Sequence, residues 1–356
     1  MLISERPGVY SSVEVSSSLY GRESGRTVGI AAVASKGEKG LCSLVTSTGQ
    51  ANELYGTLSP LTRLIKVLMS NGASSIWAVP AEVYEANSNG TYDMASNEDY
   101  KAAFSELMKR EDISLMICDS RASQVHNHMR LAIENAGEEA KYRIGIVEAV
   151  SSVSELTQRA GDLNSERLVM LCCPLTAENV LAGELSAAFA GVLACGGDPA
   201  LPVNGAELLG LSEVFDSFED GEINALVRAG VSPIEGHGGK NLVVRGLTTR
   251  TMTGGAPDST WKELTTILII DDVIPSLRSA LRTRFPRVKN TAQTRGAIRT
   301  QVLIELERKK KQEIIDDYGT VSVKPLEGEP SICEVSFEFT VAHGLNRINL
   351  AANISV

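Results

Sequence analysis

Four places in this 356-residue sequence gather side chains that could do chemistry. The first is Gly236-His237-Gly238-Gly239-Lys240, a glycine-rich run that ends in lysine as a phosphate cradle does. Such a loop needs a four-residue spacer before its Gly-Lys pair, and a Ser or Thr after the lysine. Here the spacer is missing and Asn241 follows, so the run reads as a tight loop. His126 and His128 are two apart in a helical pattern, where side chains diverge, and read as surface residues. Cys172-Cys173 closes a strand-like run, and strand neighbours point to opposite faces, which prevents joint metal binding. Asp271-Asp272 offers two carboxylates, but helical neighbours do not face one point, and a cap ahead of Pro275 accounts for them. No G-x-G-x-x-G, G-x-S-x-G, H-E-x-x-H or C-x-x-C motif occurs. The expectation is a protein with no catalytic, cofactor or metal site.

The elements around these residues follow from periodicity. Residues 29–34, 113–118, 144–150, 167–173 and 242–247 are apolar runs of strand length. Helical patterns lie near 121–136, 153–162 and 177–194. Another begins at a cap by Asn97, with Tyr100, Ala103, Phe104, Leu107 and Met108 on one face. This alternation predicts an α/β layer with parallel pairing. Gly/Pro-rich stretches at 195–202 and 232–239 are expected to break it up. Later the character becomes α+β. Helices are expected over 261–274 and 276–285, with Pro275 either a kink or the start of the second. Ile298, Val302 and Leu306 predict another, running to about Lys311. Then Cys333, Val335, Phe337, Phe339 and Val341 alternate with Glu334, Ser336, Glu338 and Thr340, a half-buried antiparallel strand. The organisation read is an arm (1–20), a middle α/β sheet domain (21–245) and a C-terminal domain of helices and antiparallel strands (246–356).

The net charge of −10 argues against wholesale binding to nucleic acid or an anionic membrane. Yet from Arg278 to Lys311 eleven Lys/Arg stand against only Glu305 and Glu307, a local +9 against −19 elsewhere. Arg278 and Arg282 lie one helical turn apart, beside Leu277, Leu281 and Phe285, as an exposed stripe would. Arg308-Lys309-Lys310-Lys311 point all round their helix and are expected to be solvated. The six cysteines show no paired spacing, and Cys118, Cys172 and Cys333 sit in apolar runs as small hydrophobes. Reduced thiols, charges and a proline in the opening MLISERPGVY, and no apolar run near ~20 residues predict a soluble protein made in the cytosol.

Two segments near the ends read as strands without local partners. One is 9–15; in the other, 345–356, Ile348, Leu350, Ala352, Ile354 and Val356 alternate with Arg347, Asn349, Ala351, Asn353 and Ser355. Terminal strands fray unless tied down, and unblunted edges seek partners. Either both pair within their own domain, or each completes a sheet in a neighbouring copy. Head-to-tail contacts of the second kind generate rings or helical filaments.

In the order of these features the sequence resembles the tail sheath proteins of contractile phages and phage-tail-like particles. Pro7-Gly8-Val9-Tyr10 and Val28-Gly29-Ile30-Ala31-Ala32-Val33-Ala34-Ser35-Lys36-Gly37 carry the N-terminal match. Val244-Arg245-Gly246-Leu247-Thr248-Thr249-Arg250 leads into Trp261-Lys262-Glu263-Leu264-Thr265. Residues 267–278, Asn290-Thr291-Ala292-Gln293-Thr294-Arg295-Gly296, Asp316-Asp317-Tyr318-Gly319 and the last two strands carry the rest, while 40–240 matches mainly in α/β character. The resemblance implies that Val9, Tyr10, Val13 and Val15, with Ile348, Leu350 and Ile354, interlock with neighbouring subunits. It implies that the C-terminal domain faces a tail tube, with Lys262, Arg278 and Arg282 towards it. The implied partners are further copies in stacked hexameric rings, a tube protein, and baseplate and tail terminator proteins, with no nucleic acid, membrane insertion or cofactor. The implied setting is a virion tail or tail-like particle, assembled in a bacterial host cytoplasm. The implied function is contraction from a metastable extended state that drives the tube through a target envelope. A bactericidal particle or secretion device would use the same physics. An α/β enzyme with an unrecognised site is the reading from a different class.

Overall fold

A computed structural model of the chain describes residues 26–87, 91–138, 141–177 and 179–345. The expected strand at 9–15, and all but Leu345 of the one at 345–356, lie outside the described residues. Eight strands form one sheet. They are β1 (Thr27–Ala34), β2 (Ser43–Val45), β3 (Ile76–Val83), β4 (Ile113–Cys118), β5 (Ile144–Glu148), β6 (Leu168–Cys172), β7 (Val231–His237) and β8 (Lys240–Val243), in the order β2-β3-β1-β4-β5-β6-β7-β8. Pairing is parallel from β3 through β7, with one antiparallel strand added at each edge.

Helices cover both faces, which is why the middle strands are continuous apolar runs. All of β5 and β6 is buried. On one face lie α1 (Thr48–Tyr55), α2 (Pro60–Ser70) and α6 (Glu184–Cys195). On the other lie α3 (Asn97–Met108), α4 (Ser123–Glu138), α5 (Val153–Leu163) and α7 (Asp220–Arg228). Cys172 packs in one core and Cys173 in the other, as strand alternation requires.

The rest of the chain builds a smaller unit. It contains the ribbon β9 (Met252–Thr253) and β10 (Ala256–Pro257), then α8 (Leu264–Arg284) and α9 (Ala292–Lys311). The strands β11 (Ile315–Tyr318), β12 (Ser322–Leu326), β13 (Glu329–Ser336) and β14 (Phe339–Val341) follow. β11 pairs with β14 and β12 with β13, both antiparallel. The apolar core changes hands inside α8. Leu264, Ile267 and Leu268 belong to the core under the large sheet, whereas Ile269, Val273 and Leu277 pack with Val302 and Leu306 of α9.

Several expectations need correction. Residues 232–239 do not break the sheet: they are β7 and its turn, a hairpin closed by Gly238 and Gly239 at φ 60° and 80°. Two positive φ values at a two-residue turn match the right-handed twist of the flanking strands. The expected strand 242–247 ends at Val243, and its second half leaves the sheet. Ser96, not Asn97, caps α3, through a reciprocal box with Asp99. The helix expected over 177–194 starts only at Glu184. Of the two readings of Pro275, the start of a second helix fails: Pro275 lies within α8, where the Ser276 hydroxyl donates to the Asp272 carbonyl at 2.7 Å. The strand expected over 333–341 divides at Phe337-Glu338 into β13 and β14, although its alternation of half-buried and exposed residues persists.

Candidate assembly surfaces and the seam behind them

A doubly wound sheet usually takes ligands beyond the carboxyl ends of its strands, where the strand order reverses. That crevice is filled here by the chain's own side chains. Asp119, just past β4, is 3% exposed and accepts the Val33 N–H of β1 at 2.9 Å and the Tyr100 hydroxyl of α3. Burial pushes its carboxyl above the usual range, against the pull of those hydrogen bonds. Glu148, fully buried at the end of β5, accepts from Arg121 Nε at 2.8 Å and from the Ser186 N–H at 3.1 Å. Ser186 lies in the first turn of α6, whose cap residue Gly183 has no side chain to offer, so Glu148 satisfies a donor that a cap would have taken. Among the described residues no group of three or more His, Cys, Asp or Glu could hold a metal ion.

His126 is not on the surface. It is fully buried, with Nε2 donating to the Ser120 carbonyl at 2.9 Å and Nδ1 receiving Arg159 Nη2 at 3.3 Å. Burial lowers its pKa to about 4, so near neutrality the ring is uncharged and both nitrogens are used within the fold.

The run 244–250 is a buried seam. Gly246 N–H donates to Asn204 Oδ1, Leu247 N–H to Ser232 Oγ, and Thr249 N–H to the Leu168 carbonyl at 2.8 Å. Thr248 ties forward to Lys262 and Trp261, through its N–H and its hydroxyl. Leu247, Thr248 and Thr249 are all 0% exposed. The segment entering α8 is thus stitched to β6 and β7, and ion pairs continue the seam. Arg167, just before β6, grips Asp271 of α8 with Nη1 at 2.6 and 2.8 Å, and Arg245 pairs with Glu263. Asp272 faces away and pairs with Lys309 of α9, which is only 6% exposed. Two expectations fall here. Asp271-Asp272 does not cap a helix but bonds in two directions, and Lys309 is not solvated.

The expected tube-facing residues are not one patch. Lys262 is half-buried at the seam, where burial and Arg245 lower its pKa. Arg278 is 9% exposed, so the exposed stripe it was to share with Arg282 does not form. Arg282 is exposed and lies roughly 30 Å beyond Lys262 by helical rise. Around it Arg284, Arg287, Lys289 and Arg299 are also exposed, and residues 279–304 contain no acid. That acid-free stretch was visible in the sequence; that α8 turns Arg278, just before it, inward was not.

The sheet edges differ in openness. At β2, Gln50 accepts the Thr46 N–H and donates to the Leu44 carbonyl, blunting the edge. At β8, residues 205–208 cover the outside through Gly205, Ala206 and Leu208. On β13 the Asn290 amide donates to the Pro330 and Ile332 carbonyls. Among the described residues β14 has a strand partner on one side only, β11. Its Phe339 and Val341 lie half-buried against the core between α8 and α9. Interlocking through Val9, Tyr10, Val13, Val15, Ile348, Leu350 and Ile354 concerns residues outside those described.

The fold is shared with solved sheath structures. The chain superimposes on the sheath tail protein from Desulfitobacterium hafniense with a TM-score of 0.68 at 11% identity, covering 94% of this chain and 100% of that one. For the anti-feeding prophage helical sheath in its contracted state the values are 0.69 and 15%, over 99% and 100%. For the sheath tail protein from Listeria innocua they are 0.67 and 10%, over 90% and 96%. No curated protein sequence matches the chain. The family model for the phage tail sheath protein central domain matches residues 93–249, and that for the phage tail sheath C-terminal domain matches 256–355. These two domains follow one another in order, meet at the seam and span well over half of the chain, which therefore belongs to the phage tail sheath family.

Proposed function

We propose that this sheath subunit polymerises around a tail tube and contracts from a metastable extended lattice, driving the tube through a target cell envelope. The observation that carries this reading is the β11–β14 pair, four and three residues long. Two strands are marginal alone, and among the described residues this pair has an apolar face and an edge with no strand on it, which calls for completion. The terminal segments supply strands of matching alternation, around Val9, Tyr10, Val13 and Val15 and around Ile348, Leu350 and Ile354. Arms seated in neighbouring copies keep the lattice linked while bodies rotate. The seam supports such rotation of a whole body, since α8 contributes to both cores. Kinetic barriers, not nucleotide hydrolysis, hold the extended state. The self-filled crevice at the sheet ends favours this over an enzyme, and we take the chain to be non-catalytic.

The tube-facing surface is the acid-free cationic stretch around Arg282, Arg287 and Lys289, with Arg278 and Lys262 acting behind it. Its partner is an acidic tube, gripped by exposed pairs worth at most ~1 kcal/mol each, weak enough to release on contraction. Other partners are further copies in hexameric rings, a baseplate and a tail terminator. Assembly takes place in a bacterial cytoplasm, and the product is a phage tail, a bactericidal particle or a secretion device. Electron microscopy of the protein co-expressed with its tube tests the reading. Striated sheaths around tubes support it; uniform small particles beside bare tubes sink it.

A further inference from the structure

Arg26 and Gly344, near the two ends of the described residues, both touch one short connection. Arg26 donates its N–H to the Ala194 carbonyl at 3.0 Å and its Nη1 to the carbonyls of Leu193 at 2.8 Å and Gly196 at 3.2 Å. It thereby closes the C-terminal end of α6, where carbonyls lack helical partners. The guanidinium is half-buried, and the charges of Asp271, Asp272 and Asp198 act on it from nearby. Beyond α6 the chain turns at Asp198, whose Oδ1 accepts the Ala200 N–H at 2.9 Å, and reaches Pro202 and Val203. Arg26, Gly196, Pro202, Val203 and Leu268 line one cavity of about 100 Å³. Gly344 stands against Pro202, so close that a Cβ there would lie 3.0 Å from both Pro202 Cβ and Cγ. One short connection, from Cys195 to Val203, thus touches the root of the N-terminal segment at one end and the root of the C-terminal segment at the other.

We propose that this connection couples the two roots, so that seating one terminal segment in a neighbouring copy orders the anchorage of the other. The geometry gives it both grips and slack. It is held by Arg26 at Gly196 and by Gly344 at Pro202, while the cavity between leaves room to shift. Its far end is fixed to the seam, because Gly246 packs on Val203 and its N–H bonds Asn204. A displacement at Pro202 is therefore resisted on the Val203 side and passes towards Arg26. The use of this coupling in assembly rests on the strand-exchange reading above: a copy joined by one end presents its other end ready for the next, which makes growth cooperative. The coupling itself is a property of the single chain.

Hydrogen exchange on the full-length chain, kept monomeric as checked by light scattering, separates the two. Gly344→Val adds atoms against Pro202, and Arg26→Gln loosens the other root. We expect Gly344→Val to speed exchange at 26–28 and 192–203 about threefold or more, with 113–118 and 144–148 unchanged, and Arg26→Gln to speed it at 339–345. Gly344→Ala, which adds one methyl, gives the same pattern more weakly and serves if the valine variant does not fold. Exchange that changes only beside the substituted residue overturns the coupling, whatever sheaths the protein forms. Coupled exchange in a protein that forms no sheath would leave the coupling standing and remove the strand-exchange reading instead.

Discussion

The guanidinium of Arg167 holds both carboxylate oxygens of Asp271, at 2.6 and 2.8 Å, across the seam between the large sheet and α8. The same guanidinium lies over the Tyr142 ring, 4.3 Å from its centroid. Burial raises the Asp271 carboxyl and Arg167 pulls it back, so the pair is held by a balance that neither partner keeps alone. Arg167→Met should cost about 1–3 kcal/mol in urea unfolding, because it leaves a carboxylate in the seam without its partner. Arg167→Met with Asp271→Leu should recover part of that loss. A single variant as stable as the parent would show that the pair does not hold the seam.

Gly246 tests the same seam by space. A methyl at this position would run into Val203. Gly246→Ala should lower stability by about 1–3 kcal/mol, the usual cost of overpacking, and adding Val203→Ala should relieve it. Calorimetric melting of the two variants decides the point.

Much of this was legible in the sequence, for reasons particular residues show. Strand β4 has its expected bounds, because five apolar residues in six between turns leave little choice. The tight loop read over 236–240 narrows in the structure to the turn at Gly238-Gly239, with its flanking residues in β7 and β8. Polar residues misled. His126, Asp271 and Lys309 were read as surface or cap residues because their burial depends on a partner 33, 104 and 37 positions away, which no local pattern encodes. Strand β7 was missed because Pro233 and Gly236 resemble punctuation. Its pairing with β6 and β8 overrides that composition.

Acid should loosen the central domain through His126. Its folded pKa of about 4 lies below the unfolded value of about 6.5, so the unfolded chain binds the extra proton between these values. Its contribution is complete above pH 6.5 and is lost as the pH falls towards 4, about 3 kcal/mol over the range. Asp119 and Asp271, raised by burial, act in the opposite sense as the pH falls. The informative quantity is therefore the difference between parent and His126→Gln. The variant should lose up to about 1.4 kcal/mol per pH unit of acid sensitivity in this window. Parallel pH profiles would contradict the buried neutral ring.

Charge reversal separates the exposed arginines from the buried one. Arg282→Glu with Arg287→Glu should weaken tube-dependent assembly about tenfold, more at low salt than at high, as expected for screened surface pairs. Arg278→Met should leave the salt dependence of tube binding unchanged and act, if at all, on stability, since Arg278 is 9% exposed. Sedimentation of sheath on preformed tubes across a salt series reads both effects.

The most direct measurement is a reconstruction of the assembled sheath, resolved well enough to trace each polypeptide from Met1 to Val356. The account predicts that residues 9–15 and 348–354 lie as added strands on the β11–β14 sheets of other copies. Both ends folded wholly onto their own subunit would contradict it.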